Sequence, residues 1–248
     1  MRQAILEILR EEAKWTGNLI VMPPDKNRPV PQDTSLGTSQ DKSQDISRDV
    51  PQNALQNPHQ DAFQNLESIQ KALQGCTKCR LHETRKNIVF GEGSPDARII
   101  FIAEAPGANE DETGKPFVGR SGELITRIIE NAMGLTRKEV YISNIVKCRP
   151  PGNRDPLPDE IDACIDVLNA QIDAIRPEMI IALGRVAAQN LLHTKKPISS
   201  LRGEFQTYHG IEMMPTFHPS YLLKNPGKKR EVWQDIQKVM ARLGLSRP

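Results

Sequence analysis

The sequence predicts an α/β protein, a three-layer α/β/α sandwich in which helices cover both faces of a central, mostly parallel four-stranded sheet. Two observations predict it: four short runs are almost continuously aliphatic, and segments with helical spacing of apolar residues separate them. A helix after each strand returns the chain to the same end of a parallel sheet. The predicted strands are RIIFIAEA (98–105), VYISNIV (140–146), MIIALG (179–184) and MMPTFHP (213–219).

Helix signals lie between and after these strands. Ser121 is placed to cap a helix that has one apolar stripe and closes at Gly134. Pro158 suits the first turn of a helix with the sequence PDEIDACIDVLNAQIDAIR. Another helix is expected after Gly184, and EVWQDIQKVMARLG predicts a C-terminal helix.

The first 65 residues differ in composition from the rest. Residues 1–22 contain a short amphipathic helix pattern, and residues 23–65 are rich in Gln, Asp, Ser and Pro with few apolar residues. Such a composition predicts a disordered linker, because too little apolar surface is available to offset chain entropy. We therefore place the folded domain at 66–248, and the N-terminal segment is a candidate contact for a replication or repair protein.

Composition limits the choice of partner and compartment. The 33 Lys and Arg nearly balance the 31 Asp and Glu, so any surface for nucleic acid must be local. No apolar run approaches the roughly 20 residues that span a bilayer, and acidic residues occupy positions that are apolar in a signal peptide. We expect a cytoplasmic monomer with no membrane association.

Polar residues lie at the predicted carboxyl ends of three strands. Glu104 ends the first strand, Asn144 lies in the second, and His218 follows the fourth. Taken alone, Glu104 could be a solvated loop acid, Asn144 a turn cap, and His218 a half-buried histidine with its hydrogen bonds made. Ligands bind outside the carboxyl ends of parallel strands, however, so convergence on one rim favours a functional site.

Three segments carry a resemblance to a known family. AEAPGANEDETGKPFVGRSG, YISNIVKCRPPGNRDP and TFHPSYLL resemble the motifs of the uracil-DNA glycosylase superfamily, in particular its family 4, the iron–sulfur type. The resemblance spans about Cys76 to Leu243, with Ala103 where many members have glycine. It implies a uracil-DNA glycosylase-like fold, with 66–248 as the catalytic domain. The implied activity is monofunctional hydrolysis of the N-glycosidic bond of uracil in single- or double-stranded DNA, which starts base excision repair.

The resemblance also implies how the base is held once it has been flipped out of the DNA. Phe117 resembles the aromatic floor on which uracil stacks. Asn144 carries a donor and an acceptor that complement uracil O4 and N3–H, whereas cytosine would mispair. Gly107, in the same loop region as Phe117, is the third predicted substrate-binding residue.

Catalytic roles follow from the same resemblance. His218 resembles the donor to uracil O2, where negative charge develops as the bond breaks. Glu104 resembles the residue that holds or activates water and offsets the positive charge of the sugar. Asn153 is a less specific second participant that helps to position this water.

Four residues beside the histidine are predicted DNA contacts. Tyr221 and Leu222 are bulky enough to enter the gap left by the flipped base, with burial in the core as the alternative. Lys224 is expected to meet backbone phosphate, with a solvated charge run as the alternative. Ser220 completes the predicted contact segment.

The four cysteines are candidate metal ligands. Cys76 and Cys79 form a C-x2-C pair, and Cys148 and Cys164 lie far along the chain. Four thiolates suit zinc or an iron–sulfur cluster. The resemblance to family 4 implies a [4Fe-4S] cluster with a structural or DNA-orienting role.

Two other functions remain open from the residues. One is a non-catalytic, polymerase-associated DNA-binding module of the same fold, which would not need Glu104, Asn144 and His218 together. The other is a zinc-containing nucleotide-binding protein, although the chain has no glycine-rich phosphate loop of the G-x-x-x-x-G-K-[ST] or G-x-G-x-x-G type.

Overall fold

The computed structural model describes residues 58–245. The helix expected within 1–22 and most of the linker expected over 23–65 lie outside the described residues. The first described helix, α1 (Pro58–Leu73), begins ahead of the predicted domain boundary, so residues 58–65 belong to a helix rather than to the linker. Its buried residues Ala62, Leu66 and Leu73 recur at helical spacing, which the polar composition of the segment obscured.

Six strands form one sheet, in the order β1–β3–β2–β4–β6–β5. The four central strands are parallel to one another and are the four that the sequence predicts. Two short antiparallel strands, β1 and β5, are added at the edges, so the sheet has two more strands than predicted. The strands are β1 (Glu92–Gly93), β2 (Ile99–Ala103), β3 (Tyr141–Asn144), β4 (Met179–Leu183), β5 (Gln206–Tyr208) and β6 (Ile211–Thr216).

Helices connect the strands as the apolar spacing indicates. The connection from β2 to β3 contains two α-helices, and the one predicted after Ser121 begins at Arg120 with Gly119 in the capping position. A π-helix, Ile128–Ala132, continues it toward Gly134. The helix predicted from Pro158 is divided near Cys164 into two. The helices after α1 are α2 (Ala108–Thr113), α3 (Arg120–Arg127), α4 (Pro158–Asp162), α5 (Ile165–Ile175), α6 (Arg185–Leu191), α7 (Ile198–Leu201), α8 (Pro219–Lys224) and α9 (Lys229–Leu243).

The sheet is buried on both faces. Ile100, Ile102 and Ile180 pack with apolar residues of α1, α5 and α6 in one core. Alternate residues of a strand point to the opposite face. Helix α9 packs against β6 and buries Ile236 and Val239 there. Among the described helices, none has the length and apolar character of a membrane span.

The carboxyl ends of the parallel strands lie side by side. Ala103 is paired with Asn144, and Leu183 is paired with Thr216. The loops that follow β2, β3 and β6 therefore leave the sheet at one edge, which brings the predicted polar residues into one neighbourhood.

Candidate active site

A cavity of about 530 Å³ lies at this edge of the sheet. Residues from the loops after β2, β3 and β6 line it, so three distant chain segments meet there. Most of the predicted site residues are among those that line the cavity: Glu104, Gly107, Phe117, Asn144, Asn153, His218, Ser220 and Lys224.

Asn144 presents an open acceptor to this cavity. Its side chain is buried, at 2% exposure, and its Oδ1 atom has no hydrogen-bond partner. The main chain beneath it is held by the buried Lys147, whose Nζ donates to Asn144 O and to Ser143 Oγ, both at 2.7 Å. A buried acceptor without a donor costs free energy unless a ligand supplies one.

His218 is held as one neutral tautomer. The Ser220 main-chain N–H donates to His218 Nδ1 at 3.1 Å, and Ser220 Oγ lies 2.7 Å from the same nitrogen. Because a main-chain N–H only donates, Nδ1 is the acceptor and the ring proton resides on Nε2. Burial lowers the pKa of His218 to about 4, while the nearby Glu110 opposes this change. The imidazole is therefore neutral at pH 7 and donates through Nε2.

A glycine after β4 brings this strand close to the histidine. Gly184 has φ +91°, and a Cβ atom there would lie 2.9 Å from His218 Cβ. Its N–H donates to Thr216 O at 2.8 Å, which joins the ends of β4 and β6. A residue without a side chain is needed at this point.

Phe117 forms an aromatic wall of the cavity. Its ring is 7% exposed, and its centroid lies 5.8 Å from that of His218. The residue has φ +53°, a conformation that costs free energy for a residue with a side chain. Arg137 donates to the carbonyls of Phe117 and Pro116, at 3.3 and 3.0 Å, and so holds the strained turn.

Glu110 joins the two loops of the first motif. Its Oε2 accepts from Gly107 N at 3.1 Å, while its Oε1 accepts from Val118 N and Gly119 N at 3.0 and 3.1 Å. A Cβ atom at Gly107 would lie 2.8 Å from this carboxylate. The sequence prediction missed Glu110, although an acid three residues after a helix cap is a usable signal.

Glu104 and Asn153 also line the cavity. Desolvation, followed by the charge of Asp155, raises the pKa of the half-buried Glu104, and Arg185 opposes them. Asp155 is itself paired with Arg185. Asn153 is exposed, and its Oδ1 accepts from Arg149 Nε at 2.7 Å, which leaves its amide N–H groups to act as donors.

The predicted DNA-contact segment divides into two kinds of residue. Tyr221 is 39% exposed, whereas Leu222 is fully buried where α8 packs against α3. Leu222 is therefore a core residue, and its prediction as a DNA contact is wrong. Ser220 and Lys224 are exposed and line the cavity, as a contact role requires.

The four cysteines all belong to, or pack against, one apolar core cluster. Cys148 is buried, and Cys76, Cys79 and Cys164 are partly buried beside the same apolar cluster. Arg85 bridges two of them, because its Nη1 donates to Cys148 Sγ at 3.2 Å and its Nη2 to Cys76 O at 2.6 Å.

Burial opposes the ionisation of two of the thiols, Cys148 and Cys164. It raises the pKa of Cys148 to about 11 and also raises that of Cys164, each with a further contribution from other cysteines of the group. Among residues 58–245, no three His, Cys, Asp or Glu side chains are grouped closely enough to hold a metal ion. None of the four cysteines lines the cavity.

Comparisons with known proteins agree on one family. The model of the uracil DNA glycosylase superfamily matches residues 90–237. The chain is 46% identical to a type-4 uracil-DNA glycosylase of Saccharolobus solfataricus over 71% of this chain and 85% of that protein. It is also 46% identical to a type-4 uracil-DNA glycosylase of Thermotoga maritima, over 70% and 92% of the two chains. A DNA polymerase of Bacillus phage SP01 is 34% identical over 59% of this chain but only 16% of the polymerase.

Proposed function

This chain belongs to the uracil-DNA glycosylase superfamily, and on that premise we propose that it hydrolyses the N-glycosidic bond of uracil flipped out of DNA, leaving an abasic site. One observation carries the proposal: the buried Asn144 Oδ1 has no donor, in a cavity shared with the neutral His218 and the ring of Phe117. The N3–H of uracil is a donor of the required kind, and its flat ring suits the aromatic wall.

Asn144 selects the base by its two polar atoms. Oδ1 accepts from uracil N3–H, and Nδ2 donates to uracil O4. Cytosine presents a bare N3 and an amino group at these positions, so both contacts would fail. Each unpaired buried group costs roughly 1 to 3 kcal/mol, which is enough to reject the normal base.

His218 stabilises the leaving group without transferring a proton. As the C1′–N1 bond breaks, its electron pair passes to the uracil ring and negative charge grows on O2. The Nε2–H of the neutral imidazole donates to that oxygen, and Ser220 keeps the proton on this nitrogen. Removal of a preorganised donor of this kind typically costs about 10² to 10³ in rate.

Glu104 acts on the sugar side of the reaction. Its carboxylate holds the water whose oxygen bonds to C1′, takes up the proton that the water releases, and offsets the positive charge of the sugar. An amide N–H of Asn153 orients the same water. Among residues 58–245, Lys224 is the one lysine that lines the cavity, and we assign it to phosphate, so no Schiff base is expected.

We assign the four cysteines to a [4Fe-4S] cluster with a structural or DNA-orienting role. Cys76, Cys79, Cys148 and Cys164 would supply the four thiolates that hold such a cluster. The donor set fits it, because the cysteines are near enough to influence the pKa of Cys148 and of Cys164, and Arg85 already donates to Cys148 Sγ. When bound, the cluster supplies the positive charge that lets the buried thiols ionise.

The test is cleavage of DNA containing one uracil. A labelled oligonucleotide is incubated with the protein and then treated with alkali, for wild type, Asn144→Asp and His218→Ala. Wild type is expected to yield a cut strand only at uracil, and both variants are expected to lose most of the activity. An uncut strand with wild type would favour the non-catalytic DNA-binding module instead. A covalent protein–DNA adduct trapped by borohydride would contradict the direct attack of water.

A further inference from the structure

Large apolar side chains are exposed at three places in the described part of the chain. Val118 is 40% exposed, Leu157 is 37% exposed and Tyr221 is 39% exposed. Each lies in a different one of the loops that surround the cavity: the first motif loop, the loop after β3 and the segment after β6. Single exposed apolar residues are common on protein surfaces, so a contact role for these three depends on what lies beside them.

Each of the three is attached to residues that line the cavity. Val118 lies between Phe117 and Gly119, and its N–H donates to Glu110. Tyr221 lies next to Ser220, with its ring 4.9 Å from that of Phe217.

Leu157 is fixed through a shared carboxylate. Glu160 Oε2 accepts from Leu157 N at 2.8 Å and from Arg154 Nη1 at 2.8 Å, and Arg154 lines the cavity. None of the three lines the cavity itself, but Leu157 is linked through the carboxylate of Glu160 to Arg154 of the cavity wall, as Val118 and Tyr221 are linked to it by their neighbours in sequence.

Positive charge is present at the same rim. Arg120 and Lys224 are exposed and line the cavity, and neither is paired with a carboxylate within residues 58–245. Cations without partners beside apolar side chains match the surface of a DNA strand, where phosphates alternate with base and sugar faces.

We propose that Val118 and Leu157 form, with Tyr221, an apolar rim that packs on the bases and deoxyriboses flanking the extruded nucleotide, while Arg120 and Lys224 meet its neighbouring phosphates. Extrusion of a nucleotide exposes the faces of the adjacent bases, and apolar side chains commonly cover them. The proposal rests on the proposed function and adds two loops to the expected DNA contact.

The test measures DNA affinity separately from occupation of the cavity. Val118→Ser and Leu157→Ser are compared with a control variant, Leu245→Ser. Leu245 lines another cavity, away from the proposed rim, and loses the same type of apolar side chain. Fluorescence anisotropy gives Kd for an oligonucleotide with a stable abasic analogue, and inhibition by free uracil reports on the cavity. We expect Kd to rise about threefold to tenfold for each rim variant, with free-uracil inhibition unchanged.

Arg120→Gln tests the charged part of the same surface. The logarithm of the DNA association constant decreases with the logarithm of the salt concentration. The magnitude of that negative slope is expected to be smaller by about 0.9 in the variant, as for one lost phosphate contact. Val118→Thr, which keeps the branched shape, replaces Val118→Ser if the melting temperature of the latter falls.

The outcomes separate the two proposals. If wild type removes uracil but the rim variants bind DNA like Leu245→Ser, the rim is refuted and the proposed function stands. If the affinity for DNA and the inhibition by free uracil both fall in these variants, Val118 and Leu157 maintain the shape of the cavity and do not contact the DNA. That result also refutes the rim. A wild type that neither binds nor cuts the DNA would overturn both proposals.

Discussion

Replacement of Gly184 by alanine tests whether the close approach of β4 sets the position of His218. The new Cβ atom would lie 2.9 Å from His218 Cβ, so the two must separate by at least about 0.5 Å to reach ordinary van der Waals contact. A misplacement of about 1 Å at a reacting group costs roughly 10² in rate, so half of that displacement predicts a loss of about tenfold. The positive φ of +91° adds strain of about 1 to 3 kcal/mol.

A second glycine separates the effect of displacing His218 from the effect of backbone strain. Gly210 has φ +80°, and a Cβ atom there would meet nothing within 4 Å. Gly210→Ala is therefore expected to lower the melting temperature without changing excision. Gly184→Ala is expected to lower both. The assay is the single-turnover rate constant on a uracil oligonucleotide with enzyme in excess, together with a thermal melt of each variant.

Two outcomes would exclude this role of Gly184. If Gly184→Ala excised uracil at the wild-type rate, the contact with His218 would not control the donor. If Gly210→Ala lost as much activity as Gly184→Ala, general loss of stability would explain both variants.

Four further outcomes follow from the same geometry. Asn144→Asp should lose at least about tenfold in uracil excision, since a carboxylate opposes uracil O4 with an acceptor; wild-type excision would contradict this base recognition. Activity should fall as the pH drops through the raised pKa of Glu104. Because the charge of Asp155 raises that pKa, Asp155→Asn should move the fall in log kcat to lower pH. A fall at the wild-type pH would show that Asp155 does not influence Glu104. Glu110→Gln should lower kcat with little change in the melting temperature, since the single oxygen of an amide cannot accept from both loops. An unchanged kcat would show that the two loops keep their positions without the carboxylate. Cys164→Ser should yield a colourless, iron-poor protein with a lower melting temperature, and a brown, fully stable variant by absorbance and melting would exclude four-cysteine ligation.

The parallel sheet was predictable because its strands carry their own signal. Burial on both faces demands continuous aliphatic runs, and β2 and β4 are buried at every position. The edge strands carry no such signal. Both residues of β1, Glu92 and Gly93, are exposed, and they pair through main-chain atoms that any residue supplies.

The side chains of the site were predictable where their chemistry is specific. An acid, an amide and an imidazole at strand ends are informative, and the structure brings Glu104, Asn144 and His218 to one cavity. The supporting contacts were not predictable in the same way. The tautomer of His218 depends on a main-chain N–H, and the role of Gly184 depends on an approach between two strands.

Leu222 shows that a sequence motif does not reveal whether a given side chain faces the DNA or the core. Tyr221 and Leu222 are adjacent and both bulky, so the letters alone assign both to the DNA. Successive residues of a helix point about 100° apart, however, and α8 is packed against α3 on one side. One of two adjacent apolar side chains must then face the core, and Leu222 does so at 0% exposure. The proposed DNA-contact surface accordingly uses single exposed residues of separate segments, Val118, Leu157 and Tyr221, because one short helix turns few apolar side chains outward.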